Sequence, residues 1–465
     1  MKMKITFLGA AGNVTGSRFL VEGDNSRILI DCGLYQEREY LNRNWEPCPV
    51  KPESLDAVLL THAHLDHCGY LPCLVRAGFE GKIYCTPATA EIVKIILLDA
   101  AKIQEEDALF KKKRHEKEGR TSAYPERPLY TVEEARAVFP LLFPMPYGEI
   151  FSPINGLSVC FYNAGHILGA ATVKISFLDE GKNKHLVFSG DIGRQDQPLL
   201  CPPESPEAAN VLFLESTYGD RNHEPWPASL EKLERVIIET TKHGGKVVIP
   251  SFALERAQEV LYHLKGLFQS GAIPPLPVYV DSPMAIDITE IFEKFPQSFC
   301  SALRNGLRQN EPIFNFPFLR FTKTVEESKA INEVSGPVII IAGSGMCTGG
   351  RIKHHLAQTI SQPENTILFV GYQAKGTLGR EILERPRKVR IHGQDRQVRA
   401  RIEKINGFSA HADQKDIQTW FDRLPEKPAK VFIIHGETAA RTALAAILRD
   451  SAAITLPEYL DSFPL

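Results

Sequence analysis

Apolar positions along the chain change texture twice. In the N-terminal part, Met3–Leu8, Ser17–Glu22 and Arg27–Ile30 are short apolar runs separated by glycine-rich punctuation, and they predict strands. Ala57–Leu60 is continuously apolar, as in a strand buried on both faces, and leads straight into Thr61-His62-Ala63-His64-Leu65-Asp66-His67. Ala88–Phe110 reads as a helix. It runs on into Lys111-Lys112-Lys113-Arg114 and a charged stretch ending near Arg120, read as a solvated helix end or loop. Strand patterns return at Leu157–Asn163, Thr172–Leu178 and His185–Ser189.

From about residue 220, helix-length segments alternate with apolar strands. A helix near Ser229–Lys242 precedes Lys246–Ile249, and one near Leu254–Ser270 precedes Val278–Val280. Strands at Pro337–Ala342 and Thr366–Val370 follow. Such β–α alternation predicts a parallel sheet with helices on its faces. Near Lys388 the pattern becomes a hairpin (Lys388–His392, Val398–Ile405), then a helix from about Gln414, a buried strand Ala429–Ile434 and a helix Thr438–Asp450.

A chain of 465 residues predicts about two to four domains. Its 43% hydrophobic content excludes wholesale disorder. With no apolar run of about 18 residues, no membrane span is expected, and the N-terminus reads as a first strand and not as a secretory signal. The formal net charge of −2 means that a nucleic-acid partner must be held by a local basic groove. Nine cysteines, an odd number without a CxxC pair, read as reduced thiols in a cytoplasmic protein.

The densest chemistry lies at His62–His67: three histidines and one aspartate in six residues after a buried strand. Imidazole and carboxylate form a ligand set for zinc or a similar borderline metal. His62 and His64 point to one side of an extended segment, whereas the adjacent Asp66 and His67 diverge, so one segment can feed two neighbouring metals. The helical HExxH pattern is absent. His166, in Asn163-Ala164-Gly165-His166, and Asp191, in Ser189-Gly190-Asp191, would each alone be ordinary turn residues; together with the run they complete a site.

Asp31, the His62–His67 run, His166 and Asp191 match in order and type the first four motifs of the metallo-β-lactamase superfamily, which the chain resembles. Leu214-Glu215-Ser216-Thr217, Phe408-Ser409-Ala410-His411-Ala412-Asp413 and Ile433-Ile434-His435-Gly436 resemble motifs A, B and C of its β-CASP branch. Pro250-Ser251-Phe252-Ala253-Leu254-Glu255-Arg256, Asp281-Ser282-Pro283-Met284, Gly343-Ser344-Gly345-Met346 and Gly371-Tyr372-Gln373 are further matches. The chain is similar to the bacterial and archaeal relatives of the endonuclease subunit of the pre-mRNA 3′-end cleavage factor.

The resemblance implies an α/β chain: an αββα sandwich interrupted by an inserted β-CASP domain whose parallel sheet is flanked by helices. The expected spans are 1–218 and 396–465 for the sandwich and 219–395 for the insert, with the active site in the cleft they form. It implies a two-metal ribonuclease. His62, His64 and His166 hold one ion; Asp66, His67 and His435 hold the other; Asp191 bridges. Both ions are expected to be Zn2+, with Mn2+ left open. Two cations roughly 3.5–4 Å apart clamp the attacking and leaving oxygens of a phosphodiester. Asp31 orients ligands from behind, Asp66 also guides the proton of the attacking water, and His411 is the general acid, kept charged by Glu215.

RNA, single-stranded, is the expected partner, because His at motif C accompanies the RNA-cleaving members of the family. The basic residues Arg385, Arg387, Lys388, Arg390, Arg396, Arg399, Arg401 and Lys404 could track its backbone. Ser344, Lys375, Arg380 and Ser409 are candidate phosphate contacts. Endonucleolytic and 5′-exonucleolytic action both fit the motifs, a homodimer is left open, and no nucleotide cofactor or membrane is expected. Gly9-Ala10-Ala11-Gly12 reads as a tight turn, His392 as structural and His354-His355 as the start or lining of a surface helix. Tyr218 and Tyr372 read as packing.

Three rival readings fit less of the chain. A thioester hydrolase or lactamase needs neither an insert nor a Glu215/His411 pair. His435 argues against a DNA-directed nuclease. A metal-free RNA-binding or scaffold subunit would have lost ligands, and every ligand position here is filled.

Overall fold

The structure is a computed structural model that describes residues 2–24, 26–119, 125–308, 312–374 and 376–465. The chain forms two compact units: Met1–Asn222 with His411–Leu465, and His223–Ala410.

In the first unit, period-two alternation builds two seven-stranded sheets. One carries Lys4–Phe7, Phe19–Gly23 and Ser26–Ile30 as an antiparallel meander, then Ala57–Leu59 and Lys82–Cys85 in parallel. The other carries Leu157–Asn163, Ala171–Asp179 and Lys182–Phe188 antiparallel, followed by Val211–Glu215 and Lys430–Ile434, both parallel to Lys182–Phe188.

The alternation sorts side chains between two cores. Phe188, Phe213, Phe432 and Ile434 join Phe7, Phe19 and Ile30 in a core shared by both sheets. Within it Phe213 stacks on Phe188 at 4.1 Å and on Phe432 at 5.1 Å between ring centroids. Val187, Leu212, Leu214, Val431 and Ile433 face the other way, against Trp420, Phe421 and Leu444 of the helices Gln414–Asp422 and Thr438–Leu448. The result is an αββα sandwich.

In the second unit, Val247–Pro250, Val278–Asp281, Ile339–Ala342, Thr366–Phe369 and Arg401–Lys404 belong to a six-stranded sheet whose pairings are all parallel. Parallel strands need crossovers, and helices such as Arg256–Gln269 and Ile352–Thr359 supply them.

Three details differ from expectation. The hairpin near residue 390 pairs Lys388–Ile391 with Gln394–Gln397, whereas Arg401–Lys404 runs parallel to Thr366–Phe369 and closes the second unit's sheet. The compact units divide at 222/223 and at 410/411. His354 is exposed, but His355 is buried at 1% and lies 2.6 Å from Asp281. The helix expected over Ala88–Phe110 spans Pro87–Glu118, and its charged end is solvent-exposed; Arg120 lies outside the described residues. Among the described residues, no helix is long and apolar enough to cross a membrane.

Candidate metal centre

The chemistry-bearing residues leave the ends of strands or the turns that follow them. Asp31 follows Ser26–Ile30, and His62 comes soon after the parallel neighbour Ala57–Leu59. His166 lies beyond Leu157–Asn163, Asp191 beyond Lys182–Phe188, Glu215 closes Val211–Glu215, and His435 follows Lys430–Ile434. Lys182–Phe188, Val211–Glu215 and Lys430–Ile434 run parallel, so their carboxyl ends open on one edge of a rigid sheet.

The dense run changes conformation midway. His64 is extended, and Leu65–Cys68 is a helical turn. Asp66 and His67 therefore leave the backbone in a different direction from His62 and His64. The turn is pinned from behind: Cys32 N donates to His67 O at 2.7 Å and Ser17 N to Asp66 O at 2.8 Å. Buried Arg18 holds that loop through two bonds to Gly33 O, at 2.9 and 2.6 Å. Gly33 is required by close approach, since a Cβ there would lie 1.6 Å from Asp66 O. One on Gly193 would lie 1.8 Å from Gly165 O.

Two donor groups that share no residue result, His62, His64, His166 and Asp191, and Asp66, His67 and His435; a third, Asp191, Glu215 and His435, overlaps both. In the first, His64 Nδ1 lies 3.1 Å from His62 Nε2 and 3.2 Å from His166 Nε2. In the second, His67 Nε2 lies 3.1 Å from His435 Nε2, and His435 Nε2 lies 3.5 Å from Asp66 Oδ2. Asp191 faces both. Its Oδ2 is 3.4 Å from His62 Nε2 and 3.6 Å from His166 Nε2; its Oδ1 is 3.4 Å from His67 Nε2 and 3.6 Å from His435 Nε2.

These spacings suit cations. A tetrahedron of bonds about 2.1 Å long has edges of about 3.4 Å. Asp191 Oδ1 is buried and has no hydrogen-bond partner among the described residues. A carboxylate so placed is costly unless a cation completes it.

Electrostatics divides the two groups. Burial, aided by the neighbouring His67, pushes His62 down to about 3; burial also pushes His64 down to about 4 and His166 well below the usual imidazole range. All three are neutral, the form that ligates. The second group gathers carboxylates. Burial opposes charge on His67 and His435, but Asp191 and Asp31 outweigh it at His67, and Asp191 and Asp66 outweigh it at His435, which rises to about 9. Asp191 and Asp66 are held below the usual carboxylate range despite burial, by the surrounding imidazoles.

Asp31 is buried behind the second group. It accepts from Thr61 N at 2.8 Å and Thr61 Oγ1 at 2.9 Å, and faces His67 Nδ1 at 2.7 Å. That contact leaves His67 Nε2 pointing into the site. Thr217 does the same for His435, with Oγ1 3.0 Å from Nδ1. The supporting roles of Thr61, Thr217 and Arg18 have no local signal in the sequence, because their partners lie on other strands.

His411 belongs to neither donor group but packs against one of them, its ring centroid 4.3 Å from that of His166, and its side chain is 22% exposed. Its Nδ1 is 3.4 Å from Glu215 Oε1 and 3.9 Å from Asp191 Oδ2. Glu215 is fully buried and accepts from Ile192 N at 2.8 Å and Thr217 N at 3.0 Å. Burial lowers the basicity of His411, and the Glu215 carboxylate more than restores it. Tyr218 lies edge-on to His411 at 6.0 Å.

The candidate phosphate contacts Ser344, Arg380 and Ser409 belong to the second unit. Ser344 Oγ accepts from Thr348 N at 3.2 Å, exposed Arg380 pairs with Glu384 at 2.9 Å, and Ser409 is buried. Lys375 lies outside the described residues.

An αββα sandwich whose strand ends gather two histidine–carboxylate groups defines a metallo-hydrolase of the metallo-β-lactamase fold. Three family models match: a metallo-beta-lactamase superfamily domain over residues 20–192, a Beta-Casp domain over 257–382, and a Zn-dependent metallo-hydrolase RNA specificity domain over 395–455. The chain belongs to the β-CASP branch of the metallo-β-lactamase superfamily. It is 38% identical over 447 residues to Ribonuclease TTHA0252 of Thermus thermophilus, covering 96% of both chains. It is 34% identical over 451 residues to Transcription termination factor FttA of Methanocaldococcus jannaschii, covering 94% of this chain and 67% of that one. A crystal structure of a protein of unknown function from Enterococcus faecalis V583 shares the fold at a TM-score of 0.57 and 13% identity, over 100% of both chains.

Proposed function

We propose that the chain is a two-metal ribonuclease, with zinc in both positions, that hydrolyses phosphodiester bonds of single-stranded RNA in the cytoplasm. The observation that carries this is Asp191, whose two oxygens face two separate donor groups. The donor set of imidazoles and carboxylates favours zinc. RNA as substrate is supported by the 38% identity to a protein named as a ribonuclease. Among the described residues no disulfide joins any of the cysteines, which suits a reducing compartment.

His62, His64 and His166 would hold one ion, Asp66, His67 and His435 the other, and Asp191 both. When bound, the pair would neutralise phosphate charge and lower the pKa of water for attack on phosphorus. Asp66 would also guide the proton of the attacking water. Asp31 and Thr217 fix the ring orientations of His67 and His435. As the bond from phosphorus to the leaving oxygen breaks, His411 gives that oxygen a proton, and Glu215 keeps His411 charged beforehand. Ser344, Lys375, Arg380 and Ser409 are assigned to phosphates along the strand.

The test incubates the purified chain with matched single-stranded RNA and DNA, labelled at the 5′ end in one set and the 3′ end in another. RNA-selective cleavage is expected, and the product lengths distinguish internal cutting from 5′ trimming. Equal cleavage of DNA, or of neither strand, would overturn the substrate assignment.

A further inference from the structure

The helix Pro87–Glu118 is 32 residues long, and only its first half is packed into the sandwich. Its second half is covered on one side. Gln104 and Glu105 accept from Leu129 N and Val132 N, Ala108 is buried, and His115 pairs with Glu126 at 2.6 Å. The opposite side is bare. It presents Ile103, Glu106, Asp107, Phe110, Lys113 and Arg114, spaced by three and four residues and therefore in one stripe. Ile103 is 50% exposed and Phe110 66%. A large aromatic side chain held in water at the centre of a helix face is an interaction signal when its surroundings are organised.

Here they are organised by charge. The two residues one turn before Phe110 are acidic, and the two one turn after it are basic. Among the described residues, Glu106, Asp107 and Lys113 form no ion pair, and Arg114 meets only Glu118 on its own helix, at 3.5 Å. A two-fold axis through Phe110 lays this stripe antiparallel on a second copy of itself. Phe110 then meets Phe110, Glu106 meets Arg114, and Asp107 meets Lys113. Each ion pair occurs twice, and Ile103 lies along the aliphatic stem of Lys117. A parallel alignment would set like charges against like. We infer that this stripe is an isologous self-association surface whose occupant is a second copy of this chain. One helix pair makes a modest interface, so the dimer is a reversible one. Most of its pairings are ion pairs, so it weakens as ionic strength rises.

Sedimentation velocity on the 465-residue chain over about 1–100 μM tests this, the range of a modest interface. The wild type is expected to shift from monomer to dimer. Phe110→Glu is expected to raise the dissociation constant ~10-fold or more. Because Phe110 is exposed, this variant remains folded. Glu106→Lys/Asp107→Lys and Lys113→Glu/Arg114→Glu are each expected to be monomeric alone, and an equimolar mixture of the two is expected to restore dimer. A wild type that stays monomeric throughout overturns the inference. So does a dimer indifferent to Phe110→Glu, or a mixture that stays monomeric.

Discussion

Two buried aspartates sit at strand ends in the two units, and their surroundings differ in kind. Asp281, at the end of Val278–Asp281, is fully buried and fully satisfied. Oδ1 accepts from Thr322 Oγ1 and Arg351 Nη1, both at 2.7 Å; Oδ2 accepts from Ser328 Oγ at 2.6 Å and faces His355 Nε2 at 2.6 Å. Asp191 is also buried, yet its imidazole neighbours stand off at 3.4–3.9 Å and Oδ1 accepts nothing among the described residues. Both carboxylates are held ionised against burial. One is neutralised by the protein and joins a strand to its helix. The other is left for a cation. Hydrogen-bond distances separate a structural buried charge from a functional one where burial alone does not.

A crossed pair of substitutions sharpens this contrast. Asp191→Ala is expected to lower metal content and reduce RNA cleavage by ~10³-fold or more, because one carboxylate positions both ions; retained occupancy of both ions would remove the bridging role. Asp281→Ala is expected to do the reverse. It strands Arg351 and His355 and costs about 3–5 kcal/mol of stability in urea unfolding, with metal per folded chain unchanged. Loss of metal in that variant would erase the distinction.

Next in size is His411→Ala. Removing a general acid is expected to lower cleavage by ~10²–10⁴-fold while metal content and fold are kept. Full activity would break the assignment of His411 and, with it, of Glu215.

The smallest effect lies in pH. Asp281 has a folded-state pKa below its ordinary 3.8. The stability it contributes is therefore fully present above pH 3.8 and is lost as pH falls below that value towards the folded pKa. Urea midpoints measured from pH 5 to 3 should fall more steeply for the wild type than for Asp281→Asn. Parallel slopes would mean that the network does not hold the charge.

The same contrast shows what could be read from the sequence. His62–His67 was legible because four ligand-type side chains in six residues are hard to explain otherwise. The structure gathers them with His166, Asp191 and His435. The β–α alternation announced the parallel sheet because each period belongs to one segment. What stayed hidden depends on distant partners. His355 looked like a surface helix residue because its burial depends on Asp281, 74 positions away. Thr61 matters through a hydroxyl bond to Asp31, 30 positions away, and Thr217 through a hydroxyl contact to the His435 ring, 218 positions away. Arg401–Lys404 looked like half of a hairpin because a short strand does not encode which edge it will join.

Metal stoichiometry decides the reading of Asp191. Elemental analysis of the purified 465-residue chain, dialysed to remove loosely bound ions, should return two zinc ions per chain. A chain that retains no metal, or only one ion that Asp191→Ala leaves in place, would contradict a carboxylate shared by two cations.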